Sequence, residues 1–275
     1  MQHIEWNWKT ADGLTIYSQG WLPAGKAKAV LCLVHGLGEH TGRYAHVASA
    51  LLEKGYALVG FDLRGHGRSE GRRGHTPTAN AYLDDIDFFL TEVGMKLPGV
   101  PRYLYGHSFG GILVLTHPSL RAPVIRGVIA TAPAFHSAIE KQVFKKMMAV
   151  VLGTVWPTLS IPSGLVPATL SRDPKVVEAY VQDPLVHNKI TTGCGKLMLD
   201  VIALAFARAA EFPVPFLLMH GGEDKLGFPS GSQEFAARAG AKATLKIWPG
   251  LYHEIHNEPE KEQVFQVMLD WLAKH

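Results

Sequence analysis

Six short runs of aliphatic and aromatic residues recur along the 275-residue chain, and segments with a helical pattern separate most of them. Continuous apolar runs of this length are typical of strands that are buried on both faces of a parallel sheet. The runs cover residues 29–36, 57–63, 102–108, 127–133, 215–221 and 243–250. Their alternation with helices predicts a doubly wound α/β fold.

The segments around these runs add a hairpin and several helices. Residues 3–8 and 14–22 alternate apolar and polar side chains on either side of Asp12-Gly13, which predicts a β-hairpin. Apolar residues fall on one helical face in residues 42–55, 81–93 and 260–275. We therefore expect a mostly parallel central sheet that is flanked by helices.

The alternation stops between about residues 135 and 208, where helical patterns and scattered prolines and glycines replace it. An insertion of this size is too long for an ordinary loop. We expect a mostly helical cap over 135–208, inserted in a core formed by 1–134 and 209–275. Adjacent Met147 and Met148 and many aliphatic residues suit a surface that moves or binds lipid, although they also suit simple packing of the cap on the core.

Charge and cysteine content exclude several classes of function. The 27 basic and 24 acidic residues give a net charge of +3, which provides no electrostatic case for binding nucleic acid. Cys32 and Cys194 lie far apart, so neither a disulfide framework nor a zinc site is expected. The first residues lack a signal-peptide pattern, and no stretch of about 18 apolar residues occurs. We expect a soluble, cytoplasmic protein that needs no metal or cofactor.

The pattern Gly-x-Ser-x-Gly occurs twice and marks a nucleophilic serine on a tight turn between a strand and a helix. At residues 106–110 it follows a strand-like run and precedes an apolar helical segment. At residues 67–71 the surroundings are charged and no helix follows directly. Ser108 is therefore the predicted nucleophile, and Ser69 is expected in a glycine-rich surface loop.

A nucleophilic serine needs a general base, and the base needs an orienting carboxylate. In α/β-hydrolases the chain order is serine, acid, histidine. Asp224 follows the run 215–221, and His253 follows the strand-like residues 243–248. Both are thus expected at the same edge of the sheet as Ser108. Glu223 is the alternative acid, and His256 is the alternative base.

Acyl transfer also needs hydrogen-bond donors for the oxyanion that develops on the substrate. In this fold one backbone N–H comes from the residue after the nucleophile, and another comes from a loop after an early strand. These positions correspond to Phe109 and to Leu37, which lies in the segment HGLGEH.

With these residues in place, the chain resembles the monoacylglycerol lipase and lysophospholipase group of serine α/β-hydrolases. The similar segments are HGLGEHTGRY, FDLRGHGRSEG, YGHSFGG, DPL (183–185), HGGEDKL and PGLYHEIHNE, in that order. They extend over nearly the whole length. The resemblance implies the α/β-hydrolase fold and a cofactor-independent serine carboxylic ester hydrolase that forms an acyl-enzyme.

The resemblance also implies roles for residues outside the triad. Glu39, Arg43 and His256 match positions that contact the glycerol end of the substrate in monoacylglycerol lipases. Alternatively, Glu39 and Arg43 form an ion pair that supports their loop. Phe109 stands where the group usually has methionine, so a change in the acyl pocket is expected.

Three functions remain open from the sequence. The first is a monoacylglycerol lipase that acts on a small lipid ester and contacts lipid surfaces transiently through its cap. The second is a broad carboxylesterase or lysophospholipase with the same triad. The third is a hydrolase-like binding protein without catalysis, against which the intact triad argues.

Overall fold

Twelve strands and eight α-helices lie in the described residues, 2–137 and 143–275, of this computed structural model. In chain order they are β1 (Gln2–Lys9), β2 (Thr15–Leu22), β3 (Val30–Val34), α1 (Ala45–Glu53), β4 (Ala57–Phe61), α2 (Ala79–Lys96), β5 (Arg102–His107), α3 (Phe109–Arg121), β6 (Gly127–Thr131), β7 (His136–Ser137), α4 (Val143–Val155), β8 (Ser160–Pro162), α5 (Pro174–Gln182), β9 (Lys189–Thr191), α6 (Thr192–Arg208), β10 (Phe216–Gly221), β11 (Gly227–Phe228), α7 (Pro229–Ala239), β12 (Ala243–Trp248) and α8 (Lys261–Leu272).

Eight of these strands form one sheet in the order β1-β2-β4-β3-β5-β6-β10-β12. Neighbouring strands from β4 to β12 are parallel, and β2 runs antiparallel to both β1 and β4. All six apolar runs contain strands of the parallel part, and β1 and β2 form the expected hairpin. The prediction of a mostly parallel central sheet flanked by helices is therefore confirmed.

Helices cover both faces of the sheet because successive side chains of a strand point to opposite faces. In β3, Val30, Cys32 and Val34 belong to the apolar core on the face of the sheet that α2, α3 and α7 cover. Leu31 and Leu33 point the other way and pack with apolar residues of α1 and α8. All five side chains are fully buried. Cys32 is thus a core residue, as its apolar surroundings in the sequence indicated.

The last strand differs from the expectation that every apolar run is buried on both faces. In β12, Thr244, Leu245 and Lys246 are exposed. Among the described strands it pairs with β10 alone, at the edge of the sheet. An edge strand lacks a neighbour on one side, so part of its surface stays accessible to solvent.

The segment between β6 and β10 contains α4, α5 and α6, which agrees with its helical patterns. Helix α6 packs on α2 and α3, while β7 pairs with β11 next to Asp224. The predicted cap, 135–208, includes residues 138–142, which lie outside the described residues. Its bounds and its treatment as a separate unit stay a prediction.

A helix that crosses a bilayer needs about 20 predominantly apolar residues. Helix α2 has 18 residues and carries Asp84, Asp85 and Asp87 among its charged side chains. Within residues 2–137 and 143–275, no helix combines the length and the apolar character that a membrane crossing requires.

The second Gly-x-Ser-x-Gly match lies in the loop after β4, but its serine is buried rather than at the surface. The Ser69 hydroxyl donates a hydrogen bond to the Asp62 carbonyl oxygen at 2.6 Å. It accepts one from the Tyr17 backbone N–H at 3.0 Å. The serine therefore joins this loop to β2, and its hydroxyl is already engaged in structural contacts.

We predict that Ser69→Ala lowers stability and leaves hydrolytic activity largely intact. The substitution leaves the buried Tyr17 N–H without its acceptor, which costs about 1–3 kcal/mol. Urea unfolding measures this loss, and hydrolysis of a p-nitrophenyl ester well below the melting temperature measures activity. A folded but inactive Ser69→Ala protein would contradict the assignment of the nucleophile to Ser108.

Candidate active site

Ser108 occupies the turn between β5 and α3, with φ 52° and ψ −116°. A positive φ is strained for a residue with a side chain, and such strain persists only where the surroundings enforce it. Two glycines allow the turn to pack so tightly. A Cβ on Gly106 would lie 2.4 Å from the Gly110 carbonyl oxygen, and one on Gly110 would lie 2.0 Å from the Val34 carbonyl oxygen.

The three residues of the predicted triad lie within hydrogen-bonding distance of each other. His253 Nε2 is 2.9 Å from Ser108 Oγ, and His253 Nδ1 is 2.6 Å from Asp224 Oδ2. Asp224 lies in the loop after β10, and His253 lies in the loop after β12. A carboxylate only accepts hydrogen bonds, so Nδ1 carries the hydrogen and Nε2 is free to accept one from the serine.

The two alternatives for acid and base lie elsewhere. Glu223 is exposed, whereas the neighbouring Asp224 side chain points inward. The His256 ring is fully buried, stacked on Tyr44 with 5.0 Å between ring centroids and edge-on to His107 at 4.7 Å. His107 therefore separates His256 from the serine, and the structure does not bring His256 to the cavity where the resemblance placed it.

Burial and mutual attraction act against each other in the acid–base pair. Burial alone would raise the pKa of Asp224, but the charge of protonated His253 and hydrogen bonds from His220 and His253 hold it well below its ordinary value. Burial alone would lower the pKa of His253. The Asp224 carboxylate outweighs this effect, with smaller contributions from Glu254 and Glu39, and raises the pKa of His253.

Both predicted oxyanion donors lie close to Ser108. Phe109 is the next residue in the chain, and Leu37 is near in space. Phe109 is the first residue of α3, and a helix leaves its first N–H groups without helical partners. Leu37 lies in the loop after β3. A Cβ on the preceding Gly36 would lie only 3.2 Å from Ser108 Cβ, so this loop passes directly beside the serine. The Phe109 ring packs edge-on against Tyr82, with 5.2 Å between ring centroids.

Glu39 and Arg43 form an ion pair, which was one of the two alternatives that the sequence left open. Glu39 accepts hydrogen bonds from the Gly36 N–H at 2.6 Å, the Tyr44 hydroxyl at 2.8 Å and Arg43 at 2.7 Å. Arg43 also donates two bonds to Glu254, at 2.7 and 2.8 Å. Glu39, Arg43 and Glu254 all line the cavity over Ser108.

Sequence reasoning missed three residues of this site. Glu254 directly follows His253, but only the fold reveals its pairing with Arg43, 211 positions away. Tyr180 comes from α5, and the Arg43 guanidinium lies over its ring, 4.8 Å from the centroid. His220 contacts Asp224 from the end of β10. The spacing of His220 and Asp224 in HGGED was the one local signal available.

Three further histidines pack together beside the oxyanion loop. The ring centroids of His35 and His66 are 5.4 Å apart, and those of His66 and His187 are 4.7 Å apart. Burial lowers the pKa of all three, to about 4 for His187, so they are neutral near pH 7. Within the described part of the chain, no group of three or more His, Cys, Asp or Glu residues could hold a metal ion.

The cavity over Ser108 is small. Leu165, Leu170 and Tyr180 from the 135–208 segment form part of its lining, and its volume of about 10 Å³ is roughly enough for one water. A larger cavity of about 440 Å³ lies beside Arg102 and Arg126, at the amino ends of β5 and β6. That cavity contains no predicted site residue, so chemistry rather than volume identifies the site.

We predict a pH profile of hydrolysis whose acid limb has its midpoint above 6.5, the ordinary histidine value. His253 accepts the serine proton only when neutral, so activity is lost as the pH falls through its raised pKa. Asp224→Asn removes the main cause of the shift. It should lower the midpoint and reduce kcat by about 10⁴-fold, as in serine proteases.

The measurement is kcat/KM for a p-nitrophenyl ester between about pH 5 and pH 9. Glu223→Gln is the matched control and should change neither the rate nor the midpoint. A wild-type midpoint below 6.5, or a larger effect of Glu223→Gln than of Asp224→Asn, would contradict this assignment of the acid.

Comparisons with known proteins agree with the fold and the class of enzyme. The family model Hydrolase_4, described as serine aminopeptidase S33, matches residues 25–260. An abhydrolase domain-containing protein of Dictyostelium discoideum is 40% identical over 98% of this chain, which spans 29% of that protein. A monoacylglycerol lipase of Mycolicibacterium smegmatis is 34% identical, with 96% of this chain and 94% of that protein covered.

Among solved structures, the monoacylglycerol lipase of Paleococcus ferrophilus superposes with a TM-score of 0.85 at 33% identity, over the full length of both chains. The matched family model covers well over half of the residues, including Ser108, Asp224 and His253. The chain therefore belongs to the Hydrolase_4 family and is an enzyme of the serine α/β-hydrolase type.

Proposed function

We propose that the protein is a monoacylglycerol lipase, a serine carboxylic ester hydrolase that releases a fatty acid and glycerol. The proposal rests on the hydrogen-bonded triad of Ser108, His253 and Asp224. The triad faces a cavity whose polar wall consists of Glu39, Arg43 and Glu254. Two relatives over nearly the full length of the chain bear the name monoacylglycerol lipase.

Acylation begins when Ser108 Oγ attacks the ester carbonyl carbon and His253 Nε2 takes the hydroxyl proton. The carbonyl oxygen gains negative charge, which the N–H groups of Leu37 and Phe109 stabilise. The protonated His253 is stabilised by Asp224. When the tetrahedral intermediate collapses, the bond to the glycerol oxygen breaks, and His253 Nε2 gives its proton to that oxygen.

Deacylation repeats these steps with water. His253 Nε2 takes a proton from a water molecule as its oxygen attacks the acyl carbon. The bond between the carbonyl carbon and Ser108 Oγ then breaks, and the proton on His253 returns to Ser108. The products are a fatty acid and the free enzyme, with no change in oxidation state.

The polar wall suits the hydroxyl groups of a glycerol. Arg43 has five N–H donors, and its bonds to Glu39 and Glu254 use three of them. Two donors remain for hydroxyl oxygens, and the two carboxylates accept from hydroxyl hydrogens. We therefore propose that Glu39 and Arg43, as expected from the sequence, and also Glu254 contact the glycerol hydroxyls of the substrate.

The charge of this wall separates the proposal from its main alternative. Two carboxylates and one guanidinium give a net negative charge beside the serine, which opposes a phosphate-bearing head group. This favours a neutral monoacylglycerol over an anionic lysophospholipid. A broad carboxylesterase would show little preference between esters with and without free hydroxyls.

We predict that kcat/KM is at least roughly tenfold higher for 1-oleoylglycerol than for propyl oleate, which carries the same acyl chain without free hydroxyls. A site built to bind hydroxyls loses about 1.4 kcal/mol or more when they are absent, because its buried polar groups stay unpaired. Glu39→Gln should reduce this ratio. The ratio of the two substrates cancels any general effect of the substitution on the oxyanion loop.

Ser108→Ala in the same assay measures the background rate. Equal rates on the two wild-type substrates would favour the broad carboxylesterase. Faster hydrolysis of an oleoyl lysophospholipid than of 1-oleoylglycerol would favour the lysophospholipase.

We also propose that the 135–208 segment contacts lipid surfaces transiently. Met147, Val150 and Val151 share one side of α4 at helical spacing, and each is at least 40% exposed. Val155 and Trp156 extend this apolar surface, with exposures of 78% and 58%. An exposed, contiguous apolar patch of this kind marks an interaction surface. The cytoplasmic location expected from the sequence stays a prediction.

We predict that Val151→Asp weakens sedimentation of the protein with phosphatidylcholine vesicles, because a carboxylate would have to enter the interface. The rate on a water-soluble p-nitrophenyl ester should hardly change. Val124→Asp is the matched control, since Val124 is 83% exposed at the far end of the sheet. Equal sedimentation of both variants and the wild type would contradict the proposed surface.

A further inference from the structure

A second histidine contacts the acid of the proposed triad. His220 is fully buried near the end of β10, and its Nε2 lies 3.0 Å from Asp224 Oδ2, the oxygen that also binds His253. The same Nε2 is 2.8 Å from the Gly227 carbonyl oxygen. On the other side of the ring, Nδ1 is 2.7 Å from Ser232 Oγ.

These neighbours determine which ring nitrogen carries a hydrogen. The Asp224 carboxylate and the Gly227 carbonyl can only accept hydrogen bonds, so Nε2 of His220 is the donor to both. The Ser232 hydroxyl donates to Nδ1 when the ring is neutral and accepts from it when the ring is charged. In either state, His220 donates a hydrogen to the Asp224 oxygen that faces His253.

The remaining contacts of Asp224 show what this bond adds. Oδ1 accepts hydrogen bonds from the backbone N–H groups of Leu226 and Gly227, at 2.8 and 3.1 Å. Oδ2 accepts from His253 and from His220. Without His220, the oxygen that orients His253 would be held by His253 alone.

We propose that His220 is a positioning residue for hydrolysis that acts through Asp224, because its hydrogen bond to Oδ2 weakens the attraction of the carboxylate for the His253 proton. The triad acid has to stabilise a protonated histidine without taking its proton. A second donor on the same carboxylate oxygen favours the charged form of the acid. His220 therefore keeps the proton on His253 Nδ1 while Nε2 exchanges protons with the substrate.

Several groups face His253 and influence its protonation. Asp224 comes from the loop after β10, Glu39 from the loop after β3, His107 from β5, and Glu254 is the next residue in the chain. His220 acts on His253 through Asp224. Its removal leaves the other three groups in place, so a change in the pH profile reports on the Asp224–His253 contact.

The test compares the full-length wild type with His220→Leu and His220→Gln on p-nitrophenyl butyrate. We expect His220→Leu to lower kcat by about 10–100-fold, the usual effect of losing a partner that orients a functional histidine. KM should change little. The midpoint of the acid limb should rise, because a carboxylate with one donor fewer attracts the His253 proton more strongly. His220→Gln supplies an N–H donor and should restore most of both properties.

Three outcomes would overturn the proposal. The first is an unchanged kcat and pH profile in folded His220→Leu. The second is a midpoint that falls, as predicted for Asp224→Asn, because it would mean that loss of the donor weakens the attraction of the carboxylate for the His253 proton instead of strengthening it. The third is a His220→Gln protein no better than His220→Leu. If His220→Leu does not fold, His220→Phe keeps an aromatic ring but removes the donor to Asp224, and an unchanged kcat and pH profile in that variant would equally overturn the proposal.

His117→Leu is the matched control. His117, in α3, is also fully buried, and its Nε2 lies 2.8 Å from a carboxylate oxygen of Asp87 in α2. Its loss should lower the melting temperature without moving the pH profile. The same shift in His117→Leu would mean that general destabilisation explains the effect, which would overturn the role of His220.

The inference rests on the proposed serine mechanism and not on the glycerol contacts, since p-nitrophenyl butyrate contains no glycerol. Ser108→Ala in the same assay distinguishes a failure of the proposed function from a failure of the inference about His220. Hydrolysis that survives in Ser108→Ala would overturn the proposed function. Hydrolysis that depends on Ser108 but is insensitive to His220 would overturn only this inference.

Discussion

The close packing of the first turn of α3 on the end of β3 is the contact on which the site depends. Gly110 lies against the Val34 carbonyl with no room for a side chain, and this packing holds Ser108 at a positive φ. The same contact puts the serine beside the loop after β3. Because the strands are parallel, the loops that carry Asp224 and His253 open at this edge too.

The sequence predicted the features that depend on local pattern. Each apolar run contains a strand of the central sheet, and residues directly after strands meet at one edge, as Ser108, Asp224 and His253 do. Side-chain direction was harder to predict. His256 has the residue type for a substrate contact, but its ring points behind His107. Helix α7 was missed because Phe235 is the single large apolar residue on its buried side, where the others are small. The pairing of Arg43 with Glu254 depends on tertiary structure alone.

Arg43 connects the two halves of the catalytic apparatus. Through Glu39 it supports the loop that supplies an oxyanion donor, and through Glu254 it holds the residue next to His253. All three charged side chains are largely buried. Loss of one member leaves the others without a partner, which is costly in a buried network. The positions of the oxyanion donor and of the general base are therefore energetically linked.

Hydrogen bonds between the 135–208 segment and the core are distributed unevenly along the segment. Residues 170–191 bond to the loops of the site at both ends, through Leu170 with the Glu254 N–H and through the His187 N–H with Gly38. Among the described residues, the hydrogen bonds of 150–169 stay within the segment itself. This part includes Leu165, which lines the cavity beside Ser108, and much of the apolar side of α4. If the proposed lipid contact holds, the surface that adsorbs and one wall of the serine cavity thus belong to the same stretch of chain, so a shift of one moves the other.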